Sequence, residues 1–135
     1  MENSFSSEIP KKLRVDKVSR ILIIDPPEGY LQLFSSLKFD IEFKSENKGK
    51  YEFVQVFGTG RADLEKNVMK VKEAGKYDCL FWACYPKGGG RIKSDLKREI
   101  VWECLELISL RPVSQIALDE TWSALRGRPR AEVGK

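Results

Sequence analysis

Histidine is absent from the 135-residue chain, which removes the commonest general base and the commonest metal ligand at once. Hydrolytic triads built on histidine are excluded, and any chemistry would fall to Asp, Glu, Lys, Cys or Tyr. Cysteine is scarce too. Three residues do not make a disulfide framework, and no C-x-x-C pair is present to hold a metal, so no metal site is expected. Cys79 and Cys84 are an odd number of positions apart on one expected strand, which sends their side chains to opposite faces, and Cys104 falls on an expected helix. All three read as small buried hydrophobes with no base to activate them. No apolar run approaches the roughly 20 residues of a membrane span, and the N-terminus lacks the apolar core of a signal peptide. A cytoplasmic protein without a membrane partner is expected. The glycine patterns of dinucleotide and Walker loops are also missing.

What is present is enough for one domain with a real core: 41% of residues are hydrophobic, and Gly and Pro occur at ordinary frequency. The expected division is a flexible lead-in over 1–12, a single α/β domain over 13–127 and a polar tail over 128–135. Lys and Arg number 24 against 20 acidic residues, a net charge of +4. That mixed surface attracts anions weakly, and nucleic-acid binding is not expected from it.

The chain is organised around Tyr77–Asp95, where a strand, a glycine loop and a helix start follow one another. Leu80–Tyr85 is apolar at every position, which predicts a strand covered on both faces. Pro86 ends it. Lys87-Gly88-Gly89-Gly90-Arg91 turns freely, and Ser94 or Asp95 is placed to cap a helix carrying Leu96, Ile100, Val101, Cys104, Leu105 and Ile108. Ile21–Ile24 is a second buried strand, stopped by Asp25-Pro26-Pro27-Glu28, where Asp25 can cap and Glu28 can bond back at the head of a helix through Tyr30, Leu31, Phe34 and Leu37. Ile41–Lys44 alternates as a half-wet edge strand. Phe53–Phe57 is another strand, too soon after it for the two to be adjacent and parallel.

Farther on, Ala62–Ala74 reads as a helix with Gly75 as its C-cap. Arg111-Pro112 breaks the chain before a strand over Val113–Leu118. Asp119-Glu120-Thr121 reads as a turn sending Trp122–Arg126 back antiparallel, with a frayed tail from Gly127. The fold class is therefore α/β, a three-layer Rossmann-like sandwich with a mostly parallel sheet and a C-terminal antiparallel hairpin. Ile23 and Phe81 should then be almost inaccessible to solvent.

Ligands in such sheets sit beyond the carboxyl ends of the strands. The candidate binding residues there are Asp25, Lys87, Gly88, Gly89, Gly90, Arg91, Lys93, Ser94, Asp119 and Trp122. Lys87, Arg91 and Lys93 can clamp a phosphate beside the Ser94 hydroxyl, and Trp122 offers a stacking surface. Each has a plainer reading: a solvated basic loop, a cap at Asp25, a turn at Asp119. Trp102 falls outside the apolar stripe of its helix, between Arg98 and Glu106. It marks either an exposed surface for a homodimer or the edge of the core.

Several blocks carry a resemblance: P-E-G-Y at Pro27–Tyr30, F-V-Q-V-F at Phe53–Phe57, Y-P-K at Tyr85–Lys87, I-K-S-D-L at Ile92–Leu96, L-R-P-V-S-Q at Leu110–Gln115 and D-E-T-W-S-A-L-R at Asp119–Arg126. Nearly end to end, the chain resembles a family of small bacterial proteins known as a domain of unknown function. It departs from that family at the triple glycine and at Gly127. The resemblance implies a bacterial origin and one compact domain, with no catalytic residues to carry over. The layout is also similar to a shortened methyltransferase core, except that Asp25-Pro26-Pro27-Glu28 stands where such enzymes carry the glycine-rich turn for S-adenosylmethionine. Two amide donors are thereby lost. The expected function is binding of a small anionic ligand, phosphate-bearing or a nucleotide, with no cofactor identified. The alternatives are a protein-interaction module and, last, a transferase using Asp25 or Asp119.

Overall fold

The computed structural model describes residues 5–15, 18–88 and 91–134. Strands β1 (Ile21–Ile24), β2 (Tyr51–Phe57) and β3 (Gly75–Pro86) run parallel to one another. β4 (Leu110–Ala117) and β5 (Trp122–Pro129) form an antiparallel pair. β5 is inserted between β3 and β4, so the five-stranded order is β1-β2-β3-β5-β4. The sheet is thus mixed, with its antiparallel hairpin at one end, as the α/β reading requires.

The mostly apolar side chains of the inner strands divide between two faces because successive ones point opposite ways. Leu22, Ile24, Val54, Val56, Phe81, Ala83 and Leu125 join one cluster with Leu64 and Val68 of helix α2 (Arg61–Lys70) and Val101, Cys104 and Leu105 of α3 (Arg98–Glu106). Ile21, Ile23, Phe53, Phe57, Trp82, Cys84, Trp122 and Ala124 join the other, against Tyr30, Phe34 and the N-terminal segment. Ile23 is 0% and Phe81 4% exposed. Cys84 and Cys79 do face opposite ways, and burial pushes both thiols up to about 12.

One polar chain crosses the second cluster. The Tyr30 hydroxyl donates to Gln55 Oε1 at 2.8 Å, and Gln55 Nε2 donates to Cys84 Sγ at 3.2 Å. Gln55 is fully buried, so both ends of its amide are satisfied as burial demands.

Several local expectations are corrected. Of the residues read as a lead-in, Phe5 and Ile9 lie in the core beside Leu13 and Val15, with Ile9–Lys12 forming the short helix α1. The helix expected from Tyr30 to Leu37 is only a 3-10 turn, Tyr30–Phe34. Ser35 and Ser36 are poor helix formers, and Tyr30 and Phe34 are held instead by ring contacts with Phe5, Phe57, Phe39 and Phe53. No strand forms over Ile41–Lys44. A single parallel bridge joins Asp40 to Leu22 on the outer edge of β1, and Ile41 is 54% exposed. Tyr51 Oη and Asn47 Nδ2 both donate to the Asp40 carboxylate, fixing the segment by side chains.

Gly75 opens β3 in place of capping α2, because a Cβ there would lie 2.4 Å from Cys79 Sγ. The third helix starts at Arg98, four residues beyond Ser94. Ser94 Oγ accepts from the Leu96 amide, while Asp95 Oδ1 accepts from the Arg61 amide at 2.8 Å and so caps α2. Arg111 and Pro112 do not break the chain. They lie in β4, an edge strand, where a proline costs no inner ladder bond. β5 continues past Arg126 to Pro129, and Gly127 is packed so closely that a Cβ would lie 3.1 Å from Leu105.

Gly58 packs against α2: a Cβ would meet three atoms of Leu64 at 2.8 Å. Gly58→Ala is therefore expected to destabilise the fold by about 1–3 kcal/mol, seen as a lower urea midpoint with an unchanged slope. A second prediction concerns acid. Glu52 accepts from the Ser19 amide, the Ser19 hydroxyl and the Arg20 amide, which hold its carboxyl down to about 2 from an ordinary 4.5. A depressed carboxylate contributes fully above its unfolded value and is lost as pH falls through the folded one. Glu52→Gln should flatten the loss of stability between pH 4.5 and about 2, measured by urea unfolding across that window.

Candidate functional site

Beyond the carboxyl ends of β3 and β4 lies a groove of about 660 Å³. Lys87 and Gly88 enter it from the end of β3, Gln115 and Ala117 from β4, Ser123 from β5, and Lys97, Arg98 and Glu99 from the head of α3. Lys87 is positioned by its backbone, whose amide donates to the Thr121 carbonyl at 2.8 Å. That turn is itself fixed by Asp119 Oδ1, which accepts from the amides of Thr121 and Trp122 at 2.8 Å each.

The groove's charge is three cations against the one carboxylate of Glu99. Among the described residues, none of Lys87, Lys97 and Arg98 is in an ion pair. Among the described residues no side-chain cap is seen at the N-cap of α3, Lys97, so its first-turn amides add positive potential at the same end. Tyr85, also lining the groove, is buried, and burial pushes its hydroxyl up while Arg98 and the Gln115 amide pull it down. The net rise keeps it a proton donor at neutral pH. A charge-assisted site for an oxyanion is what this set can make.

The sequence candidates separate in space. Lys87 and Gly88 line the groove. Gly89 and Gly90 lie outside the described residues. Arg91, Lys93 and Ser94 are exposed and do not line it. Asp119 shapes the adjoining turn. Trp122 is 5% exposed with its ring edge-on to Phe57 at 5.3 Å, so it serves the core and presents no stacking face. Lys97, Arg98 and Gln115 were not singled out. The signal for the first two was their place just ahead of the apolar helix stripe, obscured by the cap assigned to Ser94.

Asp25 stands apart, beyond β1, at a second groove of about 630 Å³ with Glu42 and Lys70. Its backbone is left-handed, φ 53°. Asn67 of α2, 2% exposed, donates to Asp25 Oδ2 at 3.0 Å and to the Phe57 carbonyl at 2.7 Å. The expected capping role for Asp25 with Glu28 is not formed: Gly29, at φ 83°, precedes the 3-10 turn.

Comparison with solved structures finds a SAM dependent methyltransferase from Aquifex aeolicus at TM-score 0.57 and 13% identity, covering 92% of this chain and 89% of that one. A putative type 11 methyltransferase from Sulfolobus solfataricus matches at TM-score 0.60 and 10% identity, over 98% of this chain and 97% of that one. A 30S ribosomal A1408 methyltransferase from an uncultured bacterium matches at 0.51 and 11%, over 93% and 83%. The fold is shared with these methyltransferases. No family model matches the chain, and no curated protein does.

S-adenosylmethionine does not fit the residues after β1. Pro26 and Pro27 carry no amide hydrogen, and Asp25 places a carboxylate at the same turn, where the cofactor's own carboxylate would need donors. The glycine after β2, Gly58, is filled by Leu64 and leaves no cradle. No methyl-transfer step is derived for this chain.

Asn67 links the ends of β1 and β2 to α2, and its loss strands the Phe57 carbonyl. Asn67→Ala should cost about 1–3 kcal/mol in denaturant unfolding.

Proposed function

We propose that the chain binds a small phosphate-bearing ligand in the groove at the carboxyl ends of β3 and β4. The observation that carries this reading is the cluster of three cations without ion-pair partners, Lys87, Lys97 and Arg98, beside the buried Tyr85 hydroxyl and the uncapped head of α3. Arg98 supplies a planar fork suited to two oxygens, and the lysines add compact charge. Gly88 leaves open space for approach, since among the described residues no atom beyond its chain neighbours lies within 4 Å of where its Cβ would be. Arg91 and Lys93, exposed on the same loop, extend the attracting field without contact. Binding is the function assigned: the thiols of Cys84 and Cys104, which do not line the groove, are pushed up to about 12 and about 11 by burial.

A thermal-shift series with nucleotides, sugar phosphates and S-adenosylmethionine tests this. At a hundredfold its dissociation constant a phosphate compound adds about 2.7 kcal/mol to the folded state. Lys87→Ala with Arg98→Ala should abolish the shift, while Arg91→Ala with Lys93→Ala should retain most of it. A wild type unmoved by every phosphate compound, or a first double variant responding in full, overturns the assignment.

Self-association through α3 is a second reading, favoured by one observation: Trp102 is 41% exposed on that helix, and Leu107 just beyond it is 46% exposed. Sedimentation should then show a larger species for wild type than for Trp102→Ala. Two identical monomers would reject it.

A further inference from the structure

The antiparallel end of the sheet gathers arginines. Arg126 and Arg128 are two residues apart on β5 and so share a face. Across the ladder, Ser114 stands opposite Arg126 and Arg111 opposite Arg128. Like charges directly opposed on neighbouring strands are unfavourable unless something neutralises them. Arg14, left-handed at φ 67° just after α1, adds a further guanidinium, close enough to bear on Arg126 electrostatically.

Asp78 acts on Arg126 only at a distance and is bonded directly to Arg128. Arg128 Nε and Nη2 hold the two oxygens of Asp78 at 2.9 and 2.8 Å, and Glu132, bound by the Tyr77 hydroxyl, also acts on Arg128. Among the described residues, Arg14, Arg111 and Arg126 have no ion pair. Arg126 Nε is buried and donates to nothing. A charge-bearing donor out of water without an acceptor is costly, and burial followed by Arg14 and Arg128 lowers the hold of Arg126 on its proton. The two Nη atoms of Arg126 are not buried and stand open to an acceptor with negative charge.

We propose a second anion site, separate from the groove, in which Arg126 binds a tetrahedral oxyanion of phosphate type with Arg14 and the Ser114 hydroxyl beside it. The site lies on the Trp82 face of the sheet, since Trp82 is the β3 partner of Arg126. Nearness to that ring supplies a reporter. The Trp82 indole N–H donates to the Leu13 carbonyl, one residue from Arg14.

The test is a titration of the full chain, its tryptophans labelled with nitrogen-15, with inorganic phosphate and separately with sulfate, chloride holding ionic strength constant. The Trp82 indole signal is expected to move saturably with at least one of the two, and the Trp102 signal to stay still. Arg126→Gln should remove the saturable shift. Arg14→Ala, at an exposed position that leaves the core intact, should weaken it at least about tenfold, the loss of one charge-assisted partner. Lys87→Ala with Arg98→Ala should titrate like wild type, so failure of the groove reading leaves this one standing. A shift without saturation means an adventitious ion only and overturns the proposal. So does saturation unchanged in Arg14→Ala, or abolished by the groove variant. If Arg126→Gln fails to fold, Arg14→Ala decides.

Discussion

Three parallel strands with no wet face are the constraint from which the rest of the structure follows. β1, β2 from residue 53 and β3 from residue 81 are buried at every position, so each face must be covered there. α2 and α3 close one, and α1, the Tyr30–Phe34 turn and their flanking residues close the other. The N-terminal segment is drawn into the core for this reason. Its own sequence is polar, but Phe5, Ile9, Leu13 and Val15 cover that face together with Tyr30 and Phe34. Gln55 shows how strict the demand is: this buried amide inside that face has both ends bonded, to Tyr30 and to Cys84.

Covering both faces pushes charged chemistry to the ends of the sheet and to its antiparallel flank. Many carboxylates are occupied there by structure. Asp95 caps a helix distant in sequence, Asp119 fixes the turn into β5, Glu52 ties down the approach to β1, and Asp25 is tethered by Asn67. Among the described residues, the cations without an ion pair include Lys87, Lys97 and Arg98 at the groove and Arg14 and Arg126 on the antiparallel flank.

Sharing a fold with methyltransferases does not transfer their chemistry, because function resides in the site and not in the sheet order. The turn after β1 decides the matter here. Two prolines and an aspartate replace a run of amide donors, and the strand ends beside it are braced by Asn67 and by Leu64 against Gly58. A scaffold of this kind keeps the parallel sheet and its crevices while offering a different set of ligating groups.

By itself the sequence determined the strands and their burial, since a continuous apolar run such as Leu80–Tyr85 has only one way to avoid water, and determined the turn at Asp119, whose chemistry is local. It also marked Lys87 and Gly88, because a basic glycine loop after a buried strand is readable without knowing its neighbours. Where a segment's fate depended on a distant partner, local pattern was insufficient. Asp95 was read as a cap for its own helix and instead serves Arg61; the alternation over Ile41–Lys44 is too short to make a strand against the hold that Tyr51 and Asn47 place on Asp40; Trp122 was taken into the core by Phe57. The insertion of β5 between β3 and β4 is likewise a tertiary outcome, and it alone sets Arg126 beside Trp82 and Ser114. Only the folded chain brings charges separated by a hundred residues near enough for Coulomb forces, which act over ångströms and not along sequence, to define a site.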